Sequence, residues 1–139
     1  MHKTIMLLLA FFFSCVVAAQ AGSVIIITNK DVPASSLSLD ELARIFLGKK
    51  TTWQNGKKIA PICLKSGKAH ESFLRSYLDM NPSQFDIFWK QAVFTGTGNP
   101  PKSLVDEADV VQLVKSTAGG IGYIDSRTLH KKVKILKVK

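Results

Sequence analysis

Ile59–Leu78 reads IAPICLKSGKAHESFLRSYL, and the fold follows from how that stretch changes character. Ile59 to Leu64 is a short apolar run of the kind buried in a sheet. Lys65-Ser66-Gly67-Lys68 interrupts it with polar groups and one glycine, a turn signal. From about Ala69 to Leu78 the apolar residues return at helical spacing as Phe73, Leu74, Tyr77 and Leu78. A strand, a tight turn and a helix in direct succession are the building unit of an α/β protein.

The same alternation extends in both directions. Upstream, Ser23–Thr28 is a β-branched run read as a strand buried on both faces, and Asn29–Pro33 leaves it as a loop. Ser38-Leu39-Asp40-Glu41 is a capping box, since the Ser38 hydroxyl and the Glu41 carboxylate can each satisfy the other's free backbone N–H. The helix it opens places Leu39, Leu42, Ile45 and Phe46 on one face, with Gly48 as its terminator. Asn55-Gly56 marks a turn. Downstream, Asn81-Pro82-Ser83 ends the Ala69–Leu78 helix, and Ser83-x-x-Asp86 caps another with Phe85, Phe88, Trp89 and Ala92 inward. Thr95–Lys102 reads as an irregular glycine- and proline-rich loop. Asp106-Glu107 begin a helix carrying Val110, Val111, Leu113 and Val114, and Ala118-Gly119-Gly120 breaks it before a short strand, Ile121–Ile124. Val133, Ile135 and Val138 in the lysine-rich tail suit a final edge strand whose lysines face water. The pattern predicts one small three-layer α/β domain without internal repeats.

Residues 1–21 are expected to be a cleavable leader. Met1-His2-Lys3 is a short positive start, Thr4–Val17 is nearly unbroken apolar sequence, and Ala19-Gln20-Ala21 offers small residues for cleavage before Gly22. The apolar run is shorter than the ~20 residues a spanning helix needs, so a membrane anchor is disfavoured. Lipid attachment at Cys15 is disfavoured by the bulky Phe12-Phe13 immediately before Ser14. Cleavage leaves one domain, Gly22–Lys139, of 118 residues, and removes Lys3, taking the formal charge from +9 to +8. Such a surplus favours anionic partners of any kind. Cys63 is then the lone cysteine, which excludes an intrachain disulfide, a CxxC redox pair and a thiolate zinc site; it reads as a buried strand residue. His70 and His130 stand near no second ligand at metal spacing. No metal or cofactor is expected.

Three stretches offer candidate chemistry. Lys65–His70 joins a strand end to a helix start, where unpaired backbone N–H groups, the Ser66 hydroxyl, Gly67, Lys68 and the His70 imidazole suit an anion. The competing reading is a basic, solvated helix start; a Walker A loop is absent. Thr95-Gly96-Thr97-Gly98-Asn99 exposes amides and hydroxyls able to close over an oxyanion. Ser116–Gly120 can do the same, or its glycines simply allow close packing. Enzymatic readings are poor: Ser66 with His70, and Asp31 or Asp125 to orient the base, lacks a nucleophile elbow, and no paired carboxylates occur. A nucleic-acid face across Lys49–Lys68 with Trp53 as a stacking platform is disfavoured by the exported setting. No stable membrane insertion is expected of the mature chain.

Taken in order, Leu39-Asp40-Glu41-Leu42-Ala43-Arg44-Ile45-Phe46-Leu47-Gly48, Trp53, Asn55–Ile62, Ser66–Phe73, Tyr77-Leu78, Phe88-Trp89, Phe94-x-Gly96, Pro100-Pro101 and Gly119–Ile124 resemble the substrate-binding proteins of phosphate ABC transporters, most closely their short single-domain relatives. The resemblance covers nearly all of Gly22–Lys139. It implies a single lobe of the periplasmic-binding-protein type, a mixed sheet flanked by helices. Full-length relatives are two-lobed periplasmic proteins that close around phosphate and deliver it to a membrane transporter; this chain resembles their middle lobe with the strand that crosses into it. There, a Ser-Gly-Thr at a helix start, preceded by an arginine, holds phosphate. The likeness assigns that place to Ser66, Gly67 and Lys68, with Lys68 replacing the threonine and no arginine before the serine. A second register, matched on Ser76-Tyr77-Leu78, puts Lys68-Ala69-His70 there instead. His70 stands where the short relatives carry arginine. The implied reading is a non-enzymatic periplasmic binder of phosphate or a related oxyanion, partnered by an ABC permease or by a second subunit that completes the site. The alternative is an envelope interaction module using the same basic face without solute transport.

Overall fold

The computed structural model describes residues 22–139; the expected leader, its cleavage point and Cys15 lie outside the described residues. One mixed six-stranded sheet runs through the domain in the order β2-β6-β1-β5-β3-β4. Its strands are β1 (Val24–Thr28), β2 (Ser36–Leu37), β3 (Ala60–Leu64), β4 (Lys102–Leu104), β5 (Gly120–Asp125) and β6 (Lys134–Val138). β1 is antiparallel to both its neighbours, whereas β3 is parallel to β5 and β4, and β2 is parallel to β6. The helices are α1 (Leu39–Phe46), α2 (Lys68–Phe73), α3 (Pro82–Thr95) and α4 (Glu107–Ser116). After α2 the coil widens to a π-helical turn over Leu74–Leu78.

Successive residues of β5 point to opposite faces, and they show how the layers are built. Tyr123 lies face to face on Phe73, with ring centroids 3.8 Å apart, and edge-on to Phe46, which places α1 and α2 on one side. On the other side Gly122 meets α4: a Cβ there would stand 3.0 Å from Val110 and 3.1 Å from Val114. The missing side chain lets α4 sit directly on the strand, with Val110, Val111 and Val114 buried. Helix, sheet and helix make the three layers expected.

The local signals of α1 were obeyed. The α1 capping box forms, the Glu41 N–H donating to Ser38 Oγ at 3.1 Å and the Ser38 N–H to the Glu41 carboxylate at 3.0 Å, an arrangement worth about 1 kcal/mol. Leu42, Ile45 and Phe46 are buried, but Leu39, at the open end of the helix, is 47% exposed. Asn29 closes the far end of α4, its amide donating to the carbonyls of Val114, Lys115 and Thr117.

Three expectations needed correction. α3 is capped by Asn81 with Gln84, not by Ser83 with Asp86. Pro82 lacks an N–H and occupies the first helical turn, which moves the start upstream of Ser83. The stretch after α3 is not loop throughout, because Lys102–Leu104 pairs in parallel with Ile62–Leu64. The tail strand β6 is not an edge: Ser36-Leu37 lies outside it, and its buried residue is Leu136 while Ile135 is half exposed.

Candidate functional site

β3 ends at Leu64, and the Lys65 N–H donates to the Leu104 carbonyl at 2.9 Å, which holds the chain at the carboxyl end of the parallel strands. In open α/β sheets ligands are bound at that end. The chain then turns through Ser66 and Gly67. Gly67 caps α2 with φ +100°, a conformation that disfavours any side chain, and no side-chain cap bond forms. The first helical bond runs from the Glu71 N–H to the Gly67 carbonyl at 3.0 Å, so the N–H groups of Lys68, Ala69 and His70 have no acceptor within the helix. Lys65, Ser66, Gly67 and Lys68 are all exposed. Three of the four predicted residues, Ser66, Gly67 and Lys68, therefore share one accessible turn.

His70 does not join them. It is 3% exposed, and its Nδ1 lies 2.5 Å from the Tyr123 hydroxyl. That hydroxyl also accepts the Leu64 N–H at 3.0 Å. The trio is satisfied when Tyr123 donates to Nδ1 and His70 is the neutral Nε2–H tautomer. Burial pulls the His70 pKa below its usual value, with the carboxylates of Asp86 and Glu71 pulling the other way. Phe85 packs edge-on to the imidazole, with centroids 6.0 Å apart. The residue expected to supply charge thus points into the core, because on α2 it falls on the same face as Phe73. The same placement removes the imagined Ser66–His70 catalytic pair. Cys63 lies in this buried group too; burial pushes its thiol up to about 12, against a smaller opposing effect of the Tyr123 hydroxyl.

Beside the turn, a hollow of about 250 Å³ collects groups that the sequence pattern does not join to Lys68. Ser72 and Arg75 reach it from the α2 segment, and Arg127 from the chain after β5. Arg127 forks onto Asp125 with contacts of 2.9 and 2.8 Å, and its guanidinium holds the Asp125 carboxyl down at about 2. Arg75 is detectable as a residue on the same exposed helix face as Lys68 (positions 68, 72 and 75), whereas Arg127 arrives only through strand order. The hollow holds three cations against two carboxylates, Glu71 and Asp125.

The other two stretches differ. Thr95 ends α3 with its hydroxyl on the Gln91 carbonyl (2.8 Å), and Thr97 stands 3.1 Å from it. In Ser116–Gly120 the polar groups are consumed internally: the Ser116 hydroxyl donates to Gln112, the Gly119 N–H donates to Asp31, and the Gly119 carbonyl accepts the Trp53 indole at 3.0 Å. Trp53 is 3% exposed, a core residue with no face free for stacking on a base. His130 contacts the Thr128 carbonyl. Among the described residues no cluster of histidine, cysteine or acidic side chains has the arrangement of a metal site, and no helix is long and apolar enough to cross a membrane.

No family model and no curated protein matches the chain. Solved structures do share its fold. The PstS of Borrelia burgdorferi superposes with a TM-score of 0.66 at 19% identity, over 85% of this chain and 47% of that one. An ABC-type phosphate transport receptor from Vibrio cholerae gives 0.63 at 20% identity, over 85% and 46%. A phosphate ABC transporter substrate-binding protein from Clostridium perfringens, solved with bound phosphate, gives 0.58 at 21% identity, over 85% and 45%. The chain spans about half the length of the structures it matches. The fold is the periplasmic-binding-protein type expected.

Proposed function

We propose that this chain is an exported, non-enzymatic binding protein whose ligand is phosphate or a related oxyanion, held at the Ser66–Lys68 turn. The observation that carries the reading is this turn at the carboxyl end of β3: Lys65, Ser66, Gly67 and Lys68 are all exposed there, beside the helix-start N–H groups that have no acceptor within α2. N–H groups at a helix start favour negative charge, and a nearby amine adds to it. The shared fold with phosphate-binding proteins supports the reading, as does the formal charge of +8 on Gly22–Lys139. Ser66, Gly67 and Lys68 supply the contacts in this proposal; Arg75 and Arg127 add field from the adjoining hollow, and His70 has no contact role.

An anion at this turn faces water on its outer side, where each charge contact is worth about 0–1 kcal/mol. Binding by the single domain is therefore weak, in the millimolar range. A second subunit covering the turn, or a permease that receives the loaded protein, would complete the site. Export to the periplasm belongs to the same proposal and rests on the 1–21 leader pattern.

The test is a sulfate and phosphate titration followed by thermal unfolding, with Lys68→Ala alongside. Ligand in the millimolar range should raise the Tm by mass action, and Lys68→Ala should reduce the rise without lowering the ligand-free Tm. A Tm that ignores both anions up to saturating salt, or an unaltered response in Lys68→Ala, would remove the site. The envelope-interaction reading would then stand ahead.

A further inference from the structure

A second cleft lies at the opposite end of β3 and is chemically unlike the turn. It has a volume of about 410 Å³ and opens between the chain around Gly48–Thr52 and the Thr97–Asn99 loop. Small-molecule sites typically occupy about 300–1,000 Å³. Its apolar lining comes from Ile45, Ile59, Pro61 and the six-membered ring of Trp89. That ring reaches the cleft because two glycines face it: a Cβ on Gly48 would stand 2.7 Å, and one on Gly98 3.2 Å, from indole carbons. The Trp89 N–H is buried and has no acceptor among the described residues.

The charge around this lining has one sign. Lys50 and Lys58 line the cleft, and no carboxylate does. Lys50 has a partner outside it, Glu41 at 3.4 Å, while Lys58 makes no ion pair among the described residues. The hollow beside Lys68, by contrast, contains Glu71 and Asp125. Thr51 and Thr52 add hydroxyl-bearing side chains to the lining, while the Thr97 hydroxyl is shared with Thr95 and the Ala92 carbonyl. An apolar floor with amines and hydroxyls at its edge suits a ligand with two ends. Inorganic phosphate has no apolar body to bury there, and a neutral hydrocarbon leaves the amines unused.

We propose that this cleft is a binding site for a small organic anion, a carboxylate, sulfonate or phosphate ester carried on an aromatic or branched aliphatic body. The body rests on Trp89 and Ile59, and the anionic group meets Lys58 and Lys50. The inference is independent of the oxyanion turn, which lies at the other end of the strand and shares no residue with it.

Benzenesulfonate is the probe, titrated into the intact protein and followed by amide and indole NMR. Inorganic sulfate supplies the charge without the body, and benzyl alcohol the body without the charge. Benzenesulfonate should move Gly48, Thr51, Gly98 and the Trp89 indole resonance while leaving the Trp53 indole in place. Burial of a phenyl ring should make it bind about tenfold tighter than sulfate at these positions. Lys58→Ala, an exposed change, should weaken it about fivefold. The proposal is overturned if benzenesulfonate leaves the cleft resonances unmoved, binds there no better than either control, or binds Lys58→Ala equally well. Sulfate shifts confined to Lys65–Ala69, or their absence, bear only on the oxyanion turn.

Discussion

Tyr123→Phe isolates one oxygen atom whose removal leaves two buried groups stranded. The Phe ring keeps the stacking on Phe73 and the edge contact with Phe46, so little packing is lost. The hydroxyl, however, is the acceptor of the Leu64 N–H at 3.0 Å and the partner of His70 Nδ1 at 2.5 Å, and Leu64 and His70 are each 3% exposed. A buried polar group deprived of its partner costs about 1–3 kcal/mol. With two such groups, and partial relaxation of His70, the loss comes to about 3 kcal/mol. For a domain of this size that corresponds to a fall in Tm of roughly 12 °C, measurable by calorimetry or circular dichroism. A second arm distinguishes stranded polarity from lost packing. Adding His70→Leu removes one orphan, so the double variant should be more stable than the sum of the single losses by about 1 kcal/mol. A Tm fall below roughly 3 °C, or strict additivity in the double variant, would refute the bonding scheme.

Three further outcomes are expected. The neutral form of His70 is favoured by folding, since burial lowers its pKa; its contribution is therefore fully present above the unfolded value of about 6.5 and declines as pH falls from there toward the folded value. Chemical denaturation should show this slope below about pH 6.5 in the wild type and lose it in His70→Leu. Gly119→Ala should prevent stable folding, because its φ is +72° and the new Cβ would meet the Lys58 carbonyl oxygen at 2.1 Å, whereas Gly56→Ala, at φ +80° in open space, should cost only about 1–2 kcal/mol by denaturant titration. Cys63 should resist a thiol reagent in the native protein and react fully once unfolded, given a thiol pushed up to about 12 and 1% exposure; rapid native labelling at neutral pH would contradict that placement.

The elements were legible where their signals lie within a few residues of each other. Ser38 and Glu41 meet across one turn, and the Leu42-Ile45-Phe46 stripe repeats at helical spacing, so α1 could be read from its own letters. The same holds for the apolar run of β3 and for Gly67 at the turn that follows it. β2 and β4 were not legible, because strands of two and three residues carry too little pattern and exist only through pairing with β6 and β3. Arg127 was missed for a related reason: it lines the same hollow as Lys68 because β5 ends beside α2, and no sequence spacing records that.

By itself the sequence determined the four longer strands and the helices, the α/β class, the α1 cap and a basic turn at Ser66–Lys68. Periodicity and capping depend on neighbours three or four residues away, and those neighbours are printed beside each other. Only the tertiary structure decided which way His70 faces, that the tail strand lies inside the sheet, and that Thr97–Asn99 lines one cleft with Lys50 and Lys58. His70 looks cationic and available in a string of letters, yet its partner Tyr123 lies 53 residues away. Whether a titratable side chain meets water or a buried hydroxyl is set by how the sheet stacks its helices, and that choice belongs to the packed chain as a whole.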